Sequence, residues 1–154
     1  MEIMYHEEKV PFIVIDNLYN EERSEIMIEL DYLCTERRLI PPFEDNRGAH
    51  NDDNNVKNVG CQYLEGFYMN RKHSNILQIT EKLFMDDRSL ISNHPHWYFD
   101  FSSINEHFTH ILYYEDMNEY PAHRDTCRFT ALTYFYREPK KFDGGDLQFT
   151  DHQV

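Results

Sequence analysis

The sequence predicts an α+β domain in which helices lie on a β-sandwich or jelly roll. Two segments before His107 carry apolar residues at helical spacing, whereas apolar and polar residues alternate from His107 onward. The helical segments and the strand segments fall into separate runs, which is typical of α+β domains. A length of 154 residues is that of one domain.

The N-terminal region predicts a strand followed by a helix. Residues 10–15 form a short β-branched and apolar run, which is typical of a strand. Asn20 is expected to cap a helix that continues to about Leu33, and acidic residues follow the cap, where they suit the helix dipole. The apolar face consists of Ile26, Met27, Leu30 and Leu33. We expect this helix to pack on a sheet and to take no part in chemistry.

The middle of the chain predicts a loop and a second helix. Residues 44–58 are rich in Asn, Asp and Gly, and they predict a long mobile loop. A substrate lid and a loop without function are both open interpretations. Residues 64–68 are ambiguous. Ser74 is expected to cap a helix that extends to about Met85.

The last third predicts successive strands separated by turns. The strands are residues 108–114, 128–136 and 146–150, and the turns are 115–119 and 139–145. Gly144 and Gly145 supply the permissive backbone that a tight reversal needs.

Composition excludes several classes of function. A net charge of −13 argues against nonspecific binding to nucleic acid or to anionic membranes, although a small anionic substrate is compatible with a locally basic site. Three widely spaced cysteines without a C-x-x-C pair argue against a disulfide framework and favour a reducing cytosol. The acidic N-terminus is unlike a signal peptide, and no apolar run has the length of a transmembrane helix. We therefore expect a cytoplasmic protein.

The triplet His123-Arg124-Asp125 is the strongest candidate for chemistry. Side chains at i and i+2 of a strand share a face, so His123 and Asp125 supply two of the three ligands of a 2-His-1-carboxylate iron site. The triplet alone is weak, because chance gives roughly one in a chain of this composition. His50-Asn51-Asp52 repeats it inside the polar loop, with no strand around it, and we interpret that copy as incidental.

The surroundings of the triplet resemble the Fe(II)- and 2-oxoglutarate-dependent oxygenases, in particular their prolyl 4-hydroxylase-like branch. The matching features are ILYY at 111–114, Tyr120, His123-x-Asp125, Arg128, ALTYFY at 131–136 and FDGGDLQF at 142–149. The opening PFIVIDNLYNEE, which is followed by a helix, is also similar to this branch. The resemblance is close over the last third of the chain and loose over the remainder.

The resemblance implies a double-stranded β-helix with Fe(II) at one mouth. It further implies hydroxylation of a prolyl or other side chain, or of a small molecule, with decarboxylation of 2-oxoglutarate to succinate. His123 and Asp125 match the metal ligands, and ascorbate is a further candidate cofactor. Tyr113 or Tyr114 matches the tyrosine that binds the cosubstrate. One of the two is expected to point inward, and Tyr113 is preferred.

Tyr134 is a second candidate for cosubstrate binding, with ordinary strand packing as the alternative for each of these tyrosines. Arg128 is expected to fix a strand through a charge-assisted hydrogen bond. For His94 and His96, a solvated or packing role in a loop is favoured over a metal role.

The sequence departs from the family pattern after Asp125. The family's second histidine and its basic cosubstrate anchor lie on later strands, whereas His152 is the only later histidine here and no Arg or Lys follows it. We therefore expect a C-terminally incomplete domain over residues 1–154, with little activity alone. Its parts are an N-terminal strand and helices (1–106) and the first strands of the β-helix core (107–154).

Two alternatives remain open. The first is a non-enzymatic β-sandwich binding module in which His123 and Asp125 form a structural pair. The second is a cupin, which is disfavoured because cupins usually show His-x-His. The sequence favours no particular substrate or oligomeric state.

Overall fold

Helices and small antiparallel sheets make up the regular structure, which confirms the mixed α+β class. The computed structural model describes residues 2–6, 11–35, 38–42, 44, 49–50, 58–85 and 100–149. The elements are β1 (Glu2–His6), β2 (Phe12–Asp16), α1 (Arg23–Thr35), β3 (Ala49–His50), β4 (Gly60–Tyr63), α2 (Leu64–Phe67), a 3-10 turn (Arg71–His73), α3 (Asn75–Met85), β5 (His110–Tyr113) and β6 (Arg124–Asp125). The chain forms two compact units, residues 1–18 with 130–154 and residues 19–129.

The first unit contains an antiparallel hairpin of β1 and β2. Its register runs from Glu2 opposite Asp16 to His6 opposite Phe12. The rings of His6 and Phe12 stack, with centroids 4.4 Å apart. Phe12 also stacks on Phe149, with centroids 5.3 Å apart. The strand predicted at residues 10–15 is therefore confirmed, as β2. Its partner β1 was not predicted, because polar residues at both ends hide its short apolar centre.

The remainder of the first unit differs from the prediction. The strands predicted at 128–136 and 146–150 show no strand pairing among the described residues 128–149, and Thr150 lies outside the described residues. Alternating aromatic residues encode strand propensity, but a ladder also requires a partner strand. The predicted glycine turn is confirmed in its backbone, since Gly144 and Gly145 both have φ of +82°.

In the second unit, α1 begins later than predicted. Residues 17–22 form turns, and the helix starts at Arg23, so Asn20 does not cap it. Asn17 takes a left-handed φ of 60°, which extends the turn before the helix begins. Ile26 and Leu33 are buried as predicted, and α1 packs against α3.

The helix α3 matches its prediction closely. The amide of Leu77 donates to the hydroxyl oxygen of Ser74 at 3.0 Å, which confirms Ser74 as the N-cap. The buried apolar residues of this helix are Ile76, Leu77 and Ile79. Elsewhere in this unit, α2 packs against β4, which pairs with β5.

The β4–β5 sheet is antiparallel, with Gly60 opposite Tyr113 and Tyr63 opposite His110. Cys61 is fully buried in β4, and its backbone also pairs with that of Ile40. The strand predicted at 108–114 is thus confirmed over its central residues. The predicted turn at 115–119 is confirmed as well, because the amide of residue 115 donates to the side chain of residue 118.

Cys34, Cys61 and Cys127 form no disulfide bond, and they are half-buried, buried and exposed respectively. None of the helices in the described ranges combines the length and the apolar character that crossing a bilayer requires.

Candidate metal centre

His123 and Asp125 lie side by side at the start of β6. The Nε2 atom of His123 is 3.2 Å from Oδ1 of Asp125. The i, i+2 spacing in extended backbone therefore places the two side chains on one face, as the sequence predicts. His123 is the more buried of the two, and the carboxylate is more open to solvent.

The imidazole of His123 has a fixed tautomer. Its Nδ1 atom lies 2.7 Å from the carbonyl oxygen of Pro121. A carbonyl oxygen only accepts, so Nδ1 carries the hydrogen and Nε2 faces the carboxylate. An unprotonated Nε2 and a carboxylate oxygen at 3.2 Å repel each other unless a cation joins them. That cation is either a proton on Nε2 or a metal ion shared by both side chains.

The separation of the two atoms fits a shared metal ion. Metal–nitrogen and metal–oxygen bonds are about 2.1 Å long, so two ligands at a right angle lie about 3.0 Å apart. The observed 3.2 Å is close to that value. Histidines that bind metals usually donate their other ring N–H to a carbonyl or carboxylate, as His123 does to Pro121.

Tyr120 holds the imidazole from one face. Its ring stacks on that of His123, with centroids 4.0 Å apart and planes 18° apart. The sequence resemblance singled out Tyr120, but it did not predict this contact. The sequence signal for this contact is the spacing of Tyr120 and His123, two ring side chains three positions apart with Pro121 between them.

His50, the first residue of the second His-x-Asp triplet, lies in a strand beside the first triplet. Strand β3 pairs antiparallel with β6, with Ala49 opposite Asp125 and His50 opposite Arg124. This corrects the interpretation that nothing holds the region of His50 in register. The pairing was hidden because a two-residue strand in a polar segment has no alternation to detect. Residues 51 and 52 lie outside the described residues.

The segment 44–58 is attached at a second point. The backbone of Asn58 pairs with that of Glu119, and the Asn58 amide group donates to the carbonyl oxygen of Met117. Two of its described parts, residues 49–50 and 58, are therefore joined to the stretch that carries the His-x-Asp motif. The predicted mobility of the rest falls on residues that lie outside the described ranges.

The candidate cosubstrate tyrosines are solvent-exposed. Tyr113 ends β5 with 39% of its surface exposed, and the next residue, Tyr114, has 49% exposed. Gly60 stands opposite Tyr113 and has no side chain to cover its ring. Tyr134 is exposed and belongs to the other unit. Their roles toward a cosubstrate stay predictions.

His107 and His110, which precede the His-x-Asp motif in the chain, contact other side chains. Nη2 of Arg71 lies 2.8 Å from Nε2 of His107, and the His107 ring also stacks on Phe84. His110 stacks on Tyr63, with centroids 4.1 Å apart. His94, His96 and His152 lie outside the described residues. Within the described part of the chain, no group of three or more His, Cys, Asp or Glu side chains is placed to hold a metal ion.

Arg128 makes the charge-assisted hydrogen bond that the sequence predicts. Its Nη2 atom donates to Oδ1 of Asp100, and both side chains are partly exposed. Asp100 lies in a helical turn in which the amide of Ser103 donates to its carbonyl oxygen. The ion pair ties the residues after β6 to that turn.

Comparison with known proteins gives no relative. No protein-family model, curated protein or solved structure matches the chain. The metal role of His123 and Asp125 therefore depends on their geometry and on the resemblance in sequence.

Proposed function

We propose that the chain is a domain of an Fe(II)- and 2-oxoglutarate-dependent dioxygenase that hydroxylates a prolyl or other side chain, or a small molecule. The observation that carries this proposal is the His123–Asp125 pair, whose facing atoms lie 3.2 Å apart while Nδ1 donates to Pro121. One neutral nitrogen and one carboxylate are two of the three ligands that non-haem Fe(II) oxygenases use. The ordered motifs around the pair favour iron over other metals.

In this proposal His123 and Asp125 would hold Fe(II). The bound iron supplies oxidation by dioxygen, coupled to the conversion of 2-oxoglutarate to succinate and CO2. His123 contributes a fixed lone pair, and Asp125 contributes a negative charge that offsets part of the charge of the cation. The third ligand and the basic anchor are assigned to residues outside the described ranges. Tyr113 is assigned to the cosubstrate, with Tyr134 as the second candidate.

The proposed core is a double-stranded β-helix. Two antiparallel pairs, β4 with β5 and β3 with β6, support it. The order of β5, a polar turn and then β6 is the order that the sequence resemblance implies. A jelly roll built on these pairs would carry His123 and Asp125 near one of its ends.

Metal binding tests the proposal without requiring turnover. We expect anaerobic calorimetric titration with Fe(II) to show one equivalent bound. Asp125→Ala and His123→Ala should each weaken binding at least about tenfold, because each removes one ligand. Asp116→Ala removes an exposed carboxylate from the preceding turn and should bind as the original chain does. Equal affinity in Asp125→Ala, with folding retained by circular dichroism, would contradict the proposal.

A second candidate is a non-enzymatic binding module in which the pair is structural. The observation that favours it is the 3.2 Å contact itself, which also lies within the distance range of an imidazolium–carboxylate ion pair. The two functions differ in the response of His123 to metal. In NMR spectra, Fe(II) should broaden the imidazole resonances of His123 if it is a ligand, and should leave them unchanged if the pair is structural.

A further inference from the structure

A cavity of about 320 Å³ opens beside α1 in the unit of residues 19–129. Its walls are Ile28, Glu29, Tyr32, Tyr68, His73 and Asn75. Its volume is at the lower end of the range for small-molecule sites, so it suits a small group or one side chain. We propose that this cavity binds a primary alkylammonium group. The proposal is independent of the metal site.

The most buried polar side chain that lines the cavity is an acid. Glu29 is only 7% exposed. Its Oε1 accepts from the Ser74 hydroxyl at 2.6 Å, and its Oε2 accepts from the Ile76 amide at 3.0 Å. Both donors are neutral, and no described Lys, Arg or His makes an ion pair with Glu29. Buried carboxylates are usually paired with a cation, so a cationic ligand would supply what this site lacks.

Tyr68 is the third donor to this carboxylate. Burial, and then the negative charge of Glu29, raise the pKa of the Tyr68 phenol well above its usual value. The phenol therefore stays protonated and donates to Glu29. A carboxylate offers about four lone-pair sites, and three are filled by Ser74, Ile76 and Tyr68. One remaining site can accept one of the three N–H groups of an ammonium, whereas the planar guanidinium donates two parallel N–H bonds and fits a single site less well.

The mouth of the cavity suits the methylene chain of such a ligand. Ile28 and Tyr32 are exposed on one side, and exposed His73 and Asn75 lie on the other. The guanidinium of Arg38 already lies over the Tyr32 ring, 3.9 Å from its centroid, which shows that this ring attracts cations. The charge of Arg38 opposes a second cation nearby. Removing that charge should therefore strengthen the binding of an ammonium.

Four probes of one chain length test the proposal: n-butylammonium, n-butylguanidinium, n-butanol and butyrate. Binding is followed through the amide resonances of Ile28 and Asn75. We expect n-butylammonium to bind about tenfold more tightly than n-butanol and more tightly than the guanidinium. Equal binding of the ammonium and the alcohol, or a preference for butyrate, would overturn the proposal. The ranking of butylammonium against Nα-acetyl-lysine amide distinguishes a free amine from a lysine side chain.

Variants at the rim test the site without disturbing the buried hydrogen bonds. Ile28→Lys places a tethered ammonium at the mouth and should abolish binding of n-butylammonium. Met69→Lys adds the same charge at a fully exposed residue outside the cavity and should leave binding unchanged. Arg38→Gln should tighten binding. Unchanged binding in Ile28→Lys, or weaker binding in Arg38→Gln, would refute the proposal. Both variants keep Glu29 and its buried hydrogen bonds, so the test does not require a variant of Glu29 that might fail to fold.

Discussion

The ring of Tyr120 stacks on the imidazole of His123, with centroids 4.0 Å apart. The same imidazole donates its Nδ1 hydrogen to the carbonyl oxygen of Pro121. The ring is thus held both across its face and in its plane. A side chain fixed in this way loses little rotational freedom when it binds a metal, and its Nε2 atom stays directed toward Asp125.

We expect Tyr120→Ala to weaken Fe(II) binding about tenfold, because it releases one face of the His123 ring. Tyr120→Phe keeps the stacking and should bind nearly as well as the original chain. Calorimetric titration under anaerobic conditions measures both affinities. If the two variants bind alike, the stacking does not position the ligand.

Glu65 joins three parts of its unit. Both of its carboxylate oxygens lie 2.9 Å from the amide of Thr109, and Oε1 also accepts from Nη1 of Arg71 at 2.9 Å. We expect Glu65→Ala to lower the free energy of unfolding by about 2–4 kcal/mol, because it leaves the Thr109 amide without its acceptor and removes the shorter of the two carboxylate contacts of Arg71. Urea denaturation measures this loss.

Glu81 provides the matched control for Glu65. It also pairs with Arg71, but at 3.4 Å and with 45% of its side chain exposed, against 22% for Glu65. We expect Glu81→Ala to cost less than about 1 kcal/mol, as is usual for exposed ion pairs. An equal loss in both variants would show that Arg71, and not the amide of Thr109, carries the effect.

The sequence predicted those structural features that depend on residues only a few positions apart. The cap at Ser74 follows from one hydroxyl before an apolar periodic run, and the structure confirms it. The adjacency of His123 and Asp125 follows from the two-residue period of extended backbone. Each of these features is decided within a few residues, so composition and spacing suffice to predict them.

Contacts distant in sequence were not predictable in the same way. Glu29 reaches Ser74 across 45 residues, and nothing in the apolar face of α1 marks an acid that caps another helix. The pairing of His50 with Arg124 brings together segments whose short strands carry no hydrophobic alternation. The alternation of residues 128–136 indicates a propensity for extended structure, but it carries no information about which strand would pair with this segment.

The hydroxyl of Ser74 both caps α3 and hydrogen-bonds to Glu29. It accepts from the Leu77 amide and donates to Glu29. We expect Ser74→Ala to lower the free energy of unfolding by about 2–3 kcal/mol, since it removes the cap and leaves a buried carboxylate oxygen with one donor fewer. Ser24→Ala, on the exposed side of α1, should change it by less than about 0.5 kcal/mol. A loss near 1 kcal/mol in Ser74→Ala would mean that only the cap contributes.

The contact between Arg71 and His107 predicts a dependence of stability on pH. Burial first, and then the positive charge of Arg71, lower the pKa of the His107 imidazole below 6.5. The folded state therefore keeps His107 neutral at pH values where the unfolded chain already binds a proton. Its contribution to stability is complete above about pH 6.5 and is lost as the pH falls from there to the lowered pKa.

Urea midpoints of the original chain and of His107→Gln, compared from pH 8 to pH 5, test this expectation. The difference between the two midpoints should shrink as the pH falls below about 6.5, because only the original chain must keep a neutral imidazole beside Arg71. His73→Gln replaces an exposed histidine of the same unit and should follow the original chain over the whole range. A constant difference between the original chain and His107→Gln would show that the protonation of His107 is not linked to folding.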